Sequence, residues 1–409
     1  MGERRDTTLI VGAGHAGTAA AFFLREFGYQ GRVLLLSAET QHPYQRPPLS
    51  KEYLLAQHST PSLLKGKDSY ARADIELCLQ DDVLSITPAS CQVKSSQGSY
   101  AYDHLILATG SQPRFMAAFG HADNLCYLSD WDDAGRIRQQ LAEASRIVVL
   151  GGGFIGLEIA SSACKMGKHV TVIERAPRLL SRVVSEAFAA FIRDIHLGNG
   201  IEFRLGEEVR EVRRSTCGVR VDAVFLSDGQ LLECDMLVIG VGSEPRMELA
   251  TAAGLACASG VLVDEHCQTS DPFISAIGDC VAVCPSPGHQ LPRRESVQNA
   301  TEQARLVAAR LTGRPMPPVQ TPWFWSDQLQ ARINLAGERP AQGQVIVRRY
   351  GGDKVSMLYL QDQQLVAIEA CNMPGDCLLA RRTIGQNHSF DLARLVDADV
   401  PLKDALHFA

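Results

Sequence analysis

The sequence runs to 409 residues with a net charge of −6, enough chain for two or three domains that bury roughly 75% of their unfolded surface. The acidic balance argues against a general nucleic-acid binder, which would carry a basic surplus, and the apolar runs fall short of the ~18 residues of a membrane span. Residues 1–8 are charged, lack the apolar stretch of a signal peptide and carry Asp6 where a myristoylation signal needs Ser or Thr, so the expectation is a cytoplasmic chain with no nucleic-acid or membrane partner.

Taken in chain order, strand and helix patterns alternate, which predicts parallel sheets. Residues 9–11 read as a strand ending at Gly12, residues 14–27 as an Ala-rich helix, and residues 33–36 as a second strand. The pattern restarts at 147–150, passes through a helix over 154–166 and reaches a strand over 170–173. Two mononucleotide-binding units therefore share one chain. "GRPMPPVQTP", residues 313–322, reads as a linker. Beyond it, residues 345–347, 355–360 and 365–370 read as antiparallel strands and 376–384 as a helix, which makes a small α+β domain. The fold class is α/β, with two Rossmann-like domains and this C-terminal α+β domain.

Each repeat carries a glycine loop between its strand and its helix. In the first, Gly12 permits the tight turn, Gly14 lets backbone approach a pyrophosphate, and Gly17 lets helix pack on strand. The helix N-terminus adds free N–H groups and the positive end of its dipole. An acidic ribose ligand should close the second strand, but Ser37 stands there, and Glu39 is its substitute. The second loop is Gly151-Gly152-Gly153-Phe154-Ile155-Gly156, and here the strand "VTVIE" does end on an acid, Glu174. A carboxylate at that place accepts hydrogen bonds from both ribose hydroxyls and repels a 2′-phosphate. NADH is therefore expected over NADPH, with Arg175 the one feature pointing the other way.

Two further stretches, "LILATG" (105–110) and "FISAIGDC" (273–280), are short apolar runs that end in small residues. With the two loops, in this order, they resemble the signatures of two-dinucleotide flavoproteins of the glutathione-reductase class. The resemblance implies a glutathione-reductase-like fold. It places FAD at Gly12, Gly14, His15, Ala16 and Gly17, with Glu39, Ala108, Thr109 and Gly110. Asp279 would hold the ribityl chain. It places NADH at Gly151, Gly153, Phe154, Ile155, Gly156 and Glu174. Residues 1–112 and 247–318 would form a discontinuous FAD domain, 113–246 the NADH domain and 319–409 the C-terminal domain. Many members carry a Cys-x4-Cys pair after the second strand. Here that region, "HPYQRPPLSKEYL" (42–54), holds no cysteine, so a dithiol relay there is excluded.

That stretch, together with "GVLVDEHCQTSDPFISAIGD" (260–279), "RRESVQNATEQA" (293–304) and "WFWSDQ" (323–328), resembles the ferredoxin reductases of bacterial oxygenase systems, among them the reductase components of aromatic ring-hydroxylating dioxygenases. This resemblance implies a ferredoxin–NAD(+) reductase. Such an enzyme passes electrons from NADH through FAD to a [2Fe–2S] ferredoxin of the Rieske type that serves a terminal oxygenase. Arg46, Pro48 and Lys51 would meet FAD, Pro48 against the flavin ring and Lys51 near its N5. Backbone at Val297, where many members have Trp, would reach the pyrimidine edge. Glu158 would approach the nicotinamide and pair with Lys51. Trp325 would line the ferredoxin-docking surface, and no metal is called for. The mechanism asks little of side chains, because a flavin exchanges electrons both in pairs and singly.

Reduction of a cytochrome P450 ferredoxin or a rubredoxin is the alternative. A non-catalytic redox-sensing flavoprotein is a more distant one, and it would show a long insertion or a basic face. Residues 319–409 hold nine Lys or Arg against ten Asp or Glu, so no such face stands out. The pairs Arg293–Arg294, Arg348–Arg349 and Arg381–Arg382 are candidate docking charges, with ordinary solvated faces as the alternative. The twelve cysteines form no Cys-x-x-Cys pair and meet no His at zinc spacing, so buried free thiols are expected for most of them.

Overall fold

The computed structural model describes residues 6–56, 60–286, 288–386 and 388–408; residues 1–5 of the charged N-terminal stretch lie outside it. The chain forms two compact units, one of Met1–Arg46, Thr60–Gln112 and Ser243–Val319, the other of Pro47–Ser59, Pro113–Gly242 and Gln320–Ala409.

In the first unit five strands pair in parallel, in the order Ile274–Ala276, His104–Leu107, Thr7–Val11, Arg32–Leu36, Ile75–Cys78. Leu9, Ile10, Leu34, Leu35, Leu105 and Ile106 are fully buried, as expected for strands covered on both faces, which read as unbroken apolar runs. The helix His15–Glu26 is rich in small residues because it lies close against the helix Val297–Leu311. Ala16, Ala20 and Ala21 from one and Ala300, Ala304 and Ala308 from the other share a single core cluster.

The second unit repeats this plan. Its parallel sheet runs Glu202–Leu205, His169–Glu174, Arg146–Leu150, Met236–Ile239, Leu125–Cys126. In both sheets the strand before the glycine loop is central, and the chain order reverses there. Such a switch point leaves a crevice at the carboxyl ends of the strands. The C-terminal portion is a five-stranded antiparallel sheet ordered Trp323–Gln328, Ala331–Gly337, Gln364–Cys371, Val355–Gln361, Gln344–Arg349. The helix Pro374–Thr383 buries Cys377 and Ala380 against it. The first two of these strands carry no turn signal at their junction beyond Leu329, held at φ 51°.

All twelve cysteines are free thiols; six are buried, five half-buried and Cys217 exposed. Full burial thus holds for half of them rather than for most. No helix among the described residues is long and apolar enough to cross a membrane.

Candidate functional site

The two glycine loops are built alike. Gly12 has φ +101°, and a Cβ there would lie 2.3 Å from the carbonyl oxygen of Ala108; Gly151 has φ +111° and would meet that of Gly240 at 2.3 Å. Gly17 and Gly156 are equally crowded, each pressed on the carbonyl of the first glycine of its own loop. The middle glycines differ: around a Cβ on Gly14 or Gly153 nothing lies within 4 Å. Backbone packing dictates the outer two, and the middle one faces the open space a pyrophosphate needs.

The helix ends agree. Of the five helices of twelve or more residues among the described residues, three are capped by a side chain, Asp130, Ser185 or Ser296. The two that start at His15 and Phe154 have no side-chain cap and no acid in the first turn. Their first-turn N–H donors are left for an anion.

Around the first loop, Glu39 accepts a hydrogen bond from Tyr44 Oη at 2.6 Å and pairs with Arg46, which also donates to Tyr44 Oη at 2.8 Å. Gly14, Ser37, Glu39, Tyr44 and Arg46 line one small pocket. His15 bonds Gln45 at 3.0 Å, and burial, with Arg46 nearby, holds its pKa below the usual histidine value. Ala108 supplies the carbonyl that crowds Gly12, Thr109 Oγ1 donates to the Arg246 carbonyl at 2.8 Å, and Gly110 turns at φ +70°. Burial, with Glu295 nearby, pushes Asp279 up to about 7 against the pull of Arg293. A carboxyl so placed gains from the hydroxyl donors of a polyol chain. Val297 opens the helix Val297–Leu311 and is half-buried. Its N–H belongs to the first turn, which has no acceptor inside the helix.

In the second unit Glu174 bonds its own loop. Its carboxylate accepts from Gly152 N and Ala176 N, both at 2.7 Å. Each oxygen keeps a free lone pair for a ribose hydroxyl. Arg175 is largely exposed and lies 3.6 Å from Glu208. Ile155 is exposed at the helix start. Phe154 packs on Phe324 with ring centroids 4.6 Å apart.

Lys51 and Glu158 come together in this unit, Nζ to Oε2 at 2.8 Å, with their side chains only 12% and 6% exposed. Lys51 Nζ also donates to the Pro47 carbonyl at 3.0 Å. Two hydroxyls complete the carboxylate: Ser50 Oγ donates to Oε2 and Ser326 Oγ to Oε1, each at 2.5 Å. Ser162 Oγ donates to the Ser50 carbonyl at 2.8 Å, fixing the turn that carries Ser50 and Lys51. Pro48 lies in that turn, Pro47–Ser50.

Neither serine was singled out by the sequence motifs, although period-two alternation along "WFWSDQ" holds the signal for Ser326. Phe324 and Ser326 share one face and meet Phe154 and Glu158, one helical turn apart on the same helix. Trp323 and Trp325 share the other face, stacked at 5.2 Å, with Arg381 over Trp323 at 4.3 Å. Trp325 itself is half-buried.

The proposed docking arginines need a correction. Arg348 is fully buried, donating to Tyr350 Oη and to the carbonyls of Leu395 and Val400. Strand alternation turns it inward, where it ties the sheet to the C-terminal segment, so only Arg349 of that pair is exposed. Arg293 is ion-paired with Glu295.

The matches to known proteins fit this geometry. The model of the pyridine nucleotide-disulphide oxidoreductase family matches residues 6–304, and a reductase C-terminal model matches residues 323–406. The chain is 95% identical to terpredoxin reductase of a Pseudomonas species over 409 residues, 100% of both chains. It superposes on putidaredoxin reductase from the covalent putidaredoxin reductase–putidaredoxin complex with a TM-score of 0.91, at 38% identity over 98% of this chain and 97% of that one. It superposes on the ferredoxin reductase for the CYP199A2 system of Rhodopseudomonas palustris with a TM-score of 0.87, at 38% identity over 98% and 99% of the two chains. The duplicated glycine cradles thus belong to a known architecture: the chain is a member of the pyridine nucleotide-disulphide oxidoreductase family, an oxidoreductase of the ferredoxin reductase type that uses FAD and NADH.

Proposed function

We propose that the chain carries electrons from NADH to a small [2Fe–2S] ferredoxin of the terpredoxin kind, with FAD on the first glycine loop and NADH on the second. The observation that carries the choice of acceptor is the 95% identity to terpredoxin reductase across the whole chain. The cysteine-free stretch 42–54 supports it, since the electrons have no dithiol stop there. Of the two downstream branches, a cytochrome P450 has the nearer support in the relative that serves a CYP system. An aromatic-ring dioxygenase with a Rieske-type ferredoxin is the second reading.

Bound flavin supplies the two-electron to one-electron conversion. The chain's residues bind and orient. Glu39 with Arg46, and Asp279, hold the FAD. Glu174 selects the unphosphorylated ribose. Lys51, fixed by Glu158, sets a positive charge near flavin N5. Trp325 marks the side from which electrons leave.

Reduction of purified ferredoxin by NADH, followed by the loss of its visible absorbance, tests the acceptor. A terpredoxin-type ferredoxin should be reduced far faster than a rubredoxin, and the reverse order would overturn the assignment. Trp325→Ala should leave flavin bleaching by NADH unchanged and slow delivery to ferredoxin on the order of tenfold, as loss of an aromatic anchor does at an interface.

The open middle glycines give a second test. Both have β-region backbone, φ −73° at Gly14 and −83° at Gly153, so Val fits the fold and fills the cradle. Gly14→Val should give a folded protein without flavin. Gly153→Val should keep its flavin and raise the NADH KM by at least about tenfold, the equivalent of 1.4 kcal/mol. Absorbance per chain and steady-state kinetics measure the two.

A further inference from the structure

We propose that Ser326, on the C-terminal sheet, is a positioning residue for the NADH half-reaction: it aims the Glu158 carboxylate and through it the Lys51 ammonium. The proposal rests on the reading of Lys51 and Glu158 given above and adds to it a residue from a different part of the chain.

The argument is geometric. Glu158 Oε2 is held by Ser50 Oγ at 2.5 Å and Lys51 Nζ at 2.8 Å, two consecutive residues of one turn. Donors from one turn fix where that oxygen sits, but they leave the carboxylate plane free to rotate about the Oε2 contact. Among the described residues the hydrogen-bond partner of Oε1 is Ser326 Oγ, at 2.5 Å. A carboxylate only accepts, so the serine hydroxyl must donate to it. Gln328 Nε2 donates to the same Oγ at 3.0 Å, so the serine accepts from Gln328 while its own proton goes to Glu158. Ser326 and Gln328 are both fully buried, so no water competes for these bonds and an ionised acceptor makes them strong. The second point of attachment is therefore built, buried and supplied by the strand that presents Trp325 on its other face.

The expected signature lies in rate rather than in binding. The adenosine and pyrophosphate half of NADH is assigned to the glycine loop and Glu174, which Ser326 does not touch. Loss of aim at Glu158 should act only on the arrangement of the reacting groups. In stopped-flow bleaching by NADH, Ser326→Ala should lower the limiting flavin-reduction rate about tenfold, while the NADH concentration for half-maximal rate changes by less than about twofold. Ser326→Thr restores the hydroxyl and should bring the rate back to within about twofold of wild type. Gln328→Leu removes only the donor behind Ser326 and should cost about threefold, which keeps the test open should Ser326→Ala not fold.

On a Glu158→Gln background, Ser326→Ala should add no further loss, because coupled residues are not additive. If Glu158→Gln is itself as fast as wild type, the reading of the charge pair fails. If Glu158→Gln is slow but Ser326→Ala is normal, or if Thr does not rescue, or if the two losses simply add, the proposal alone is overturned.

Discussion

Lys51→Met should reduce its flavin with NADH about a hundredfold more slowly than wild type, the scale seen when one preorganised charge or donor is removed from a developing anion. On the proposed reading an ammonium held ready would stabilise negative charge developing on the flavin without reorganising. Glu158 and the Pro47 carbonyl hold the Lys51 ammonium fixed. The same substitution strands a carboxylate whose side chain is 6% exposed, left with Ser50 and Ser326 as its donors among the described residues. Removing one partner of a buried pair costs about 3–5 kcal/mol, so the single variant should also melt at lower temperature. The double variant Lys51→Met, Glu158→Gln removes the stranded charge and should recover the stability but not the rate. Thermal melts and stopped-flow bleaching, run on the same samples, separate the two effects. A double variant that regains both would mean that the slow step came from instability, and Lys51 would have no part in hydride transfer.

The second large effect concerns cofactor choice. Wild type should prefer NADH to NADPH in kcat/KM by at least about tenfold, on the order of 1.4 kcal/mol, and Glu174→Gln should bring the two close to parity. Glu174 is assigned two jobs. On the proposed reading its charge repels a 2′-phosphate, and in the structure its oxygens take the N–H groups of Gly152 and Ala176. Gln removes the repulsion and keeps the length of the side chain, but it can accept only at one of those two contacts. NADPH use should therefore rise while NADH use falls, the fall reporting the loosened loop. Arg175, exposed and only loosely paired to Glu208, is free to meet the added phosphate. Equal use of the two cofactors by the wild type would refute the assignment of Glu174.

The parallel sheets and their loops were legible in the sequence because fully buried strands leave unbroken apolar runs and because glycines at fixed offsets mark a crowded turn. The predicted strand 147–150 and helix 154–166 differ from the observed Arg146–Leu150 and Phe154–Lys165 by one residue at most. The Lys51–Glu158 pairing was suggested by family resemblance alone, since 107 positions separate the two and no local pattern joins them. Ser50 and Ser326 were out of reach for a related reason: a serine becomes a ligand of a buried carboxylate only through tertiary packing. Arg348 was misread because two adjacent arginines look like a solvated patch. On a strand, neighbouring side chains point to opposite faces, and a buried arginine can be satisfied by main-chain carbonyls alone.

The two sheets share one plan around their central strands. Such a molecule contains its own internal control. Of the three glycines the loops share, the outer two, Gly12 with Gly151 and Gly17 with Gly156, are those where a Cβ would strike backbone, while Gly14 and Gly153 leave the cradle open. Positions that have diverged, Ser37 and Glu39 against Glu174, or His15 and Ala16 against Phe154 and Ile155, surround the cradle that each copy offers. Exchanging the diverged set between halves, with the shared glycines untouched, would measure how much of the choice of nucleotide these positions carry by themselves.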